Sequence, residues 1–317
     1  MNFLKKTDSF ESTILGKQIT YYIYLPLESI EYKGVLQIAH GMAEHLERYE
    51  PFIEYLTAHG YIVCGNDHLA HGRSVGSKDE LGHIPGKEGW MALVQDLHQL
   101  YAIMHEQYPN LPYFLMGHSM GSFLARSYVT RYGKDLAGAI IMGTGLMDNA
   151  TCTAGLGVMK TISLFKGKEY HSPMVQKLMF GSYLNRIQNP SSTNDWLSTV
   201  PGEVQKYDAD EYCGFSFSLS GYANVVRLIQ SVCAPEAIKG VPADLPVLVT
   251  SGEEDPVGHY GDDPRKLAEK LQQAGVKDVE LLMYAGDRHE ILNESNRQKV
   301  FEDILAWLDK HQEEAAE

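Results

Sequence analysis

Residues 113–132 read YFLMGHSMGSFLARSYVTRY: a β-type apolar run from Tyr113 to Met116, a turn with glycines at 117 and 121, then a helical pattern from Ser122 to Tyr132. A strand that breaks through a tight, glycine-flanked turn into a helix throws the central hydroxyl, here Ser119, into the open. The bare G-x-S-x-G pattern arises by chance in roughly one chain of this length in ten. Its weight therefore comes from its placement and from the residues further down the chain. Taken alone, it reads equally as a glycine-rich turn with a capping serine.

Outward from this stretch, short β-rich runs recur at Gly34 to Ala39, Tyr61 to Gly65 and Ala137 to Met142. Continuous apolar runs of this kind mark parallel strands covered on both faces. Helical patterns alternate with them at Tyr49 to Ala58, Gly89 to Glu106 and, near the end, Asn296 to His311. The alternation predicts an α/β chain with a mostly parallel, doubly wound sheet. Phe10 to Leu15 and Gln18 to Tyr24, joined by Gly16-Lys17, predict an antiparallel hairpin at its leading edge. Leu245 to Thr250 and Val279 to Tyr284, with a helix at Pro264 to Ala274 between them, complete the sheet.

From about Met147 to Ala243 the rhythm stops, and the chain becomes more helical, broken by Pro173, Pro190 and Pro201. The division expected is a core of residues 1–146 and 244–317 with an inserted helical cap, 147–243. Most apolar residues of such a cap serve ordinary packing. Met159, Met174 and Met179, beside Phe165, Phe180 and Leu184, also suit the wall of an acyl-chain tunnel, because thioethers conform to irregular apolar shapes.

A serine turn gains meaning if an acid and a base come after it in order at strand C-terminal ends, where open α/β sheets place their chemistry. Gly252-Glu253-Glu254-Asp255-Pro256-Val257 follows one predicted strand, and Gly286-Asp287-Arg288-His289-Glu290 follows the last. The expected set is Ser119 as nucleophile, His289 as general base and Asp255 as the group orienting the imidazole. Asp255 is preferred because it stands directly before a proline that fixes the loop, with Glu254 in reserve. A tetrahedral intermediate also needs donors aimed at its oxyanion. The N–H of Met120, just after the nucleophile, and that of Met42, in the loop after the Gly34–Ala39 strand, are the candidates.

The 317 residues are 44% hydrophobic, enough for one large core. A net charge of −14 argues against the basic stripe of a nucleic-acid binder. Cys64, Cys152, Cys213 and Cys233 lack the short spacings of zinc or redox motifs, which points to a reducing, cytoplasmic setting. Asp8 and Glu11 fall where a signal peptide would need its apolar run, and no stretch reaches the length of a membrane span. His40, His45, His68 and His71 have spacings that metal ligands can use, but a converging further ligand is missing, and anchoring of loops by hydrogen bonds is the favoured reading. No metal or organic cofactor is expected.

Taken together, HGMAEHLERY (40–49), DHLAHGRSVG (67–76), GHSMGS (117–122), GEEDPV (252–257) and GDRHEILNE (286–294) resemble the monoacylglycerol lipase and lysophospholipase group of α/β-hydrolases, the serine aminopeptidase-type hydrolases. The resemblance covers nearly all of the core and leaves mainly the cap unmatched. It implies the α/β-hydrolase fold and the same residues: Ser119, Asp255 and His289, with Met42 and Met120 as oxyanion donors. Ala43 and Ala70 depart from it, standing where glycine is common, and Ser122 replaces a second frequent glycine. The implied activity is hydrolysis of a small carboxylic ester bearing an acyl chain, such as a monoacylglycerol or lysophospholipid, through an acyl-enzyme.

Three other readings remain. A proline-releasing aminopeptidase would use cap carboxylates, for which Asp195, Glu203, Asp208, Asp210 and Glu211 are available. A feruloyl-type esterase would differ in the shape of its pocket. A receptor on the hydrolase fold would keep the three residues but signal through the cap. No basic amphipathic helix marks the cap, so membrane contact is expected to be transient at most.

Overall fold

The computed structural model describes residues 3–27 and 30–316, with side chains through 313. Eight strands form one sheet: β1 (Phe3–Glu11), β2 (Gln18–Pro26), β3 (Gly34–Ala39), β4 (Tyr61–Asn66), β5 (Tyr113–His118), β6 (Gly138–Met142), β7 (Val247–Gly252) and β8 (Val279–Tyr284). Their spatial order is β1-β2-β4-β3-β5-β6-β7-β8. The β1–β2 and β2–β4 pairs are antiparallel and all the others parallel.

Every residue of β3, β4, β5, β6 and β7 is buried, as expected of strands covered on both faces. The covering helices are α1 (Glu50–Ala58), α2 (Gly89–Gln107) and α3 (Met120–Tyr132), then, after the insertion, α8 (Asp262–Gln273) and α9 (Arg297–Ala316). The leading hairpin is present, but β1 runs Phe3–Glu11 instead of Phe10 to Leu15, sharing only Phe10 and Glu11 with the expected strand. Ser12 turns inward, its hydroxyl bonding the buried Asp96 carboxylate at 3.0 and 2.9 Å, so the turn spans more than Gly16-Lys17.

Between β6 and β7, which are neighbours in the sheet, the chain makes four α-helices among the described residues and no strand. They are α4 (Asn149–Lys166), α5 (Pro173–Phe180), α6 (Pro201–Ala209) and α7 (Leu219–Cys233). Asp148 and Ser172 cap α4 and α5 by accepting from the N–H groups of Thr151 and Val175. The last helix is unlike the others. Eleven of its residues are buried, and it packs on α2 and α3 of the core as well as on α4. Asn224 fastens it there, donating to the carbonyls of Ile84 and Gly86 and accepting from Trp90 N–H. No helix among the described residues is long and apolar enough to cross a membrane.

Candidate active site

The turn from β5 into α3 carries Ser119 at φ 55°, ψ −119°, a conformation that L-residues avoid and that a sharp strand-to-helix turn imposes. Two glycines make it possible. A Cβ on Gly117 would lie 2.1 Å from the Gly121 carbonyl oxygen, and one on Gly121 would lie 1.9 Å from that of Ala39. Ser119 N–H donates to Met142 O at 3.0 Å, and the Ser122 hydroxyl donates to Ser119 O at 2.6 Å, so the turn is held from both sides. Ser122 thus has a structural use at a position where glycine is frequent.

Ser119 and His289 both line one cavity. His289 is 1% exposed, and its Nδ1 lies 2.9 Å from Asp255 Oδ2. Asp255 is completely buried and is fixed by the Ser251 hydroxyl, 3.2 Å from Oδ2, and by Val257 N–H, 2.8 Å from Oδ1. Glu254 is exposed, and Glu253 pairs with Arg265 instead. With Nδ1–H donated to Asp255, His289 Nε2 carries a lone pair, and among the described residues this atom has no hydrogen-bond partner. A free, buried imidazole nitrogen on a residue that lines the same cavity as an alcohol is an arrangement suited to proton abstraction.

Met42 and Met120 lie on the same wall. Met120 begins α3, so its N–H is one of those that a helix leaves without an internal partner. Ala43, the next residue of the first loop, takes φ 56°, and Ala70 takes φ 67°. These are the two alanines that replace common glycines, and each holds a left-handed conformation at a cost of about 1–2 kcal/mol.

The four histidines divide. His40 Nδ1–H donates to Gly41 O, its Nε2 accepts from His68 N–H, His68 Nε2–H donates to His40 O, and His71 Nδ1–H donates to Leu69 O. Burial pushes His68 down to about 3 and His71 to about 4, so both rings are neutral and serve as loop anchors. His45 instead meets Asp210 of the insertion at 2.9 Å. Among the described residues, His45, Asp210 and Cys213 bring ligand-type atoms within 4.8 Å of one another. His45 and Asp210 already satisfy each other, Asp210 also accepts from Tyr212 N–H, and burial pushes the Cys213 thiol up.

Two of the loops at the site, those after β3 and β8, are tied to the insertion. Ala43 O accepts from Tyr207 Oη and Gly214 N–H, each at 2.9 Å. On the His289 side, Glu290 N–H donates to Leu197 O at 2.7 Å, and Arg288 reaches the carbonyls of Asp195 and Ser198. The Trp196 ring stands 5.0 Å from that of His289. Met179, Phe180, Phe215 and Val225 give the cavity an apolar wall, and Gln176 and Asn194 add polar points. Of the expected tunnel residues, Met179 and Phe180 lie on this wall. Met159 is buried elsewhere in the core, while Met174 and Phe165 are exposed. The carboxylates suggested for amine recognition have other partners: Asp195 with Ser191, Asp208 with Asn194, Asp210 with His45, Glu203 with Lys206 and Glu211 with Lys78.

A group that sequence reasoning passed over adjoins the site, with Glu44, His118 and Glu290 on the cavity's lining. Glu44, Arg48, Tyr49, His118 and Glu290 are buried or nearly so and joined in one network. The available signal was the four-residue spacing of Glu44 and Arg48, together with an acid immediately after His289.

The family model described as serine aminopeptidase, S33, matches residues 30–296. The monoacylglycerol lipase of Mycolicibacterium smegmatis is 27% identical over 300 residues, covering 93% of this chain and 94% of that one. The monoglyceride lipase of Rattus norvegicus is 27% identical over 282 residues, covering 87% and 82%. Among solved structures, a thermostable carboxyl esterase from Bacillus coagulans, in complex with glycerol, superposes with a TM-score of 0.89 at 30% identity, covering 97% of this chain and 99% of that one. The fold is that of the α/β-hydrolases, as the motifs implied.

Proposed function

We propose that this chain, which belongs to the serine aminopeptidase S33 family of hydrolases, cleaves carboxylic esters that carry an acyl chain, of the monoacylglycerol or lysophospholipid type. The observation that carries the reading is the free Nε2 of His289, in the cavity that Ser119 lines, on a ring whose Nδ1 is bonded to the buried Asp255.

In the proposed reaction Ser119 Oγ attacks the ester carbonyl carbon while its proton passes to His289 Nε2. Asp255 holds the ring in the required tautomer and stabilises the transient imidazolium. The N–H groups of Met42 and Met120 receive the oxyanion. The imidazolium returns the proton to the leaving alcohol, and water then releases the acid from the acyl-enzyme by the same steps in reverse order of roles. The Ser119 hydroxyl has no hydrogen bond to His289 in this state, and such contacts commonly tighten when substrate arrives. This chemistry calls on no metal or organic cofactor.

Residues 147–243 act as a cap that selects the substrate. The apolar wall formed by Met179, Phe180 and Phe215 supports an acyl chain as the group selected, and the lipases and esterase among the relatives support the ester bond. The cavity's own carboxylates, Glu44 and Glu290, are engaged by Arg48 and do not present a free anion to a substrate amine. Four unpaired cysteines support a cytoplasmic site of action. The test is turnover of acyl glycerols of graded chain length against aminoacyl arylamides, with fluorophosphonate labelling of Ser119. Hydrolysis of the arylamides alone, or a Ser119 that does not label, overturns the proposal.

A further inference from the structure

We infer that His118, the residue before the nucleophile, is held as an imidazolium and positions the main chain of His289. The inference rests on the proposed function for its catalytic meaning, but its first step is a count of protons. Three contacts run in series: Glu44 Oε1 to Tyr49 Oη at 2.8 Å, Tyr49 Oη to His118 Nδ1 at 2.9 Å, and His118 Nε2 to the carbonyl oxygen of His289 at 3.2 Å. Each needs one proton between its heavy atoms. Tyr49 supplies one and a neutral imidazole one, whereas a carboxylate and a carbonyl supply none. A third proton is required, and it resides on Glu44 or on His118.

The surroundings of Glu44 decide which. Gly41 N–H donates to its Oε1 at 2.5 Å and the Arg48 guanidinium donates to its Oε2, so both oxygens are occupied as a carboxylate's would be. The proton therefore belongs to the imidazole. A charge count agrees. Arg48 lies between two buried carboxylates, bonding Glu290 at 2.7 and 2.8 Å as well as Glu44, so without a second cation the network would keep an unbalanced buried negative charge. His118 as imidazolium brings the sum to zero. The groups facing it are Glu44, Arg48 and Tyr49 from the segment after β3, and His289 and Glu290 from the loop after β8, with the two imidazole rings 4.6 Å apart. Burial alone would lower the His118 ring, but Glu44 holds it above the ordinary imidazole value; burial likewise opposes the charged form of Glu44, and Arg48 keeps that carboxyl well below the usual range.

The consequence is mechanical. His289 is gripped at two points, its ring by Asp255 and its carbonyl by a charged donor on the strand that delivers Ser119. The anion that keeps the proton on His118 also binds Gly41 N–H, one residue from Met42. A neutral His118 leaves two protons for three contacts, so one bond of the series is given up: Glu44 to Tyr49, Tyr49 to His118, or His118 to His289. Since the folded-state value is raised, the bracing is intact in acid and near neutrality and is lost as pH rises through the His118 titration.

The experiment is side-chain ¹⁵N NMR of the intact wild-type protein labelled at histidine, with His118 assigned through its proximity to Tyr49 and His289. At pH 8 a free imidazole is roughly 97% neutral. The expected result is a His118 ring protonated on both nitrogens, with the alkaline limb of kcat tracking its titration. Glu44→Gln should move that limb to lower pH by about one unit or more, with KM changed by less than about twofold. A neutral His118 at pH 8, or a limb that Glu44→Gln leaves in place, in an enzyme whose Ser119 still labels, overturns the inference and leaves the functional reading standing. A Ser119 that does not label overturns the functional reading instead.

Discussion

The sheet and the insertion between β6 and β7 use apolar residues in opposite ways. In β3 through β7 every residue is buried. In α4 only Cys152 and Met159 are buried, and in α5 only Val175, while Leu164, Phe165, Met174 and Leu178 are more than half exposed. A region whose residues are locked on all sides can hold a reacting geometry to fractions of an ångström. A thinly buried region can vary in shape and sequence at small cost. Under the proposed function, chemistry and choice of substrate would sit on structures of different burial.

Substitutions that should break this contrast begin in the rigid half. Ser119→Ala is expected to lower kcat by on the order of a million-fold, measured on a short acyl ester, with the melting temperature nearly unchanged. Asp255→Asn should cost on the order of ten-thousand-fold in kcat. A mild loss there, with a severe one in Glu254→Gln, would reassign the acid. On the insertion side, Phe180→Ala should reduce kcat/KM for long acyl chains by roughly ten- to a hundredfold and hardly change acetyl esters, because about 0.8 kcal/mol is lost per methylene left unburied. An equal loss on both substrates would place Phe180 in the chemistry rather than in selection.

Stability separates the two regions in the same way. Asp96, on α2, is completely buried against Ser12, and burial pushes its carboxyl up to about 6. A raised carboxyl favours the neutral form in the folded state, so its contribution is present below about pH 4 and is lost as pH rises through about 6. Asp96→Asn should therefore remove this pH dependence and raise the unfolding free energy at pH 8 by roughly 2–3 kcal/mol in denaturant titrations. Phe165→Ser, at a residue 83% exposed on α4, should shift it by less than about 0.5 kcal/mol.

The rigid half was also the legible half. Continuous apolar runs such as Val35 to Ala39 are what full burial demands, and their ends singled out Ser119, Asp255 and His289 as the candidate set, because strand termini and glycine turns leave marks that composition does not blur. The hairpin was visible but its turn was not, since a side chain distant in sequence, Asp96, decides where β1 stops. Apolar character in the insertion says that a residue prefers to be buried, not which cavity it faces. Phe180 meets the pocket and Phe165 meets solvent for reasons of helix orientation that no local pattern carries. The network of Glu44, Arg48, His118 and Glu290 was hidden for a related reason. Its members come from three separate segments of the chain, and only Glu44 and Arg48 are spaced as one surface of a helical turn.

α7 belongs by sequence to the insertion and by packing to the core. Anyone recombining this protein with a relative to transfer specificity should place the downstream crossover before residue 219, not at the start of β7. Exchanging Met147 through Phe217 carries over Met179, Phe180 and Phe215, and leaves Asn224 in its own socket on the loop that leads into α2. Moving the crossover past α7 would import a foreign face onto α3, the helix that Ser119 introduces, and the graft would disturb the machinery it was meant to redirect.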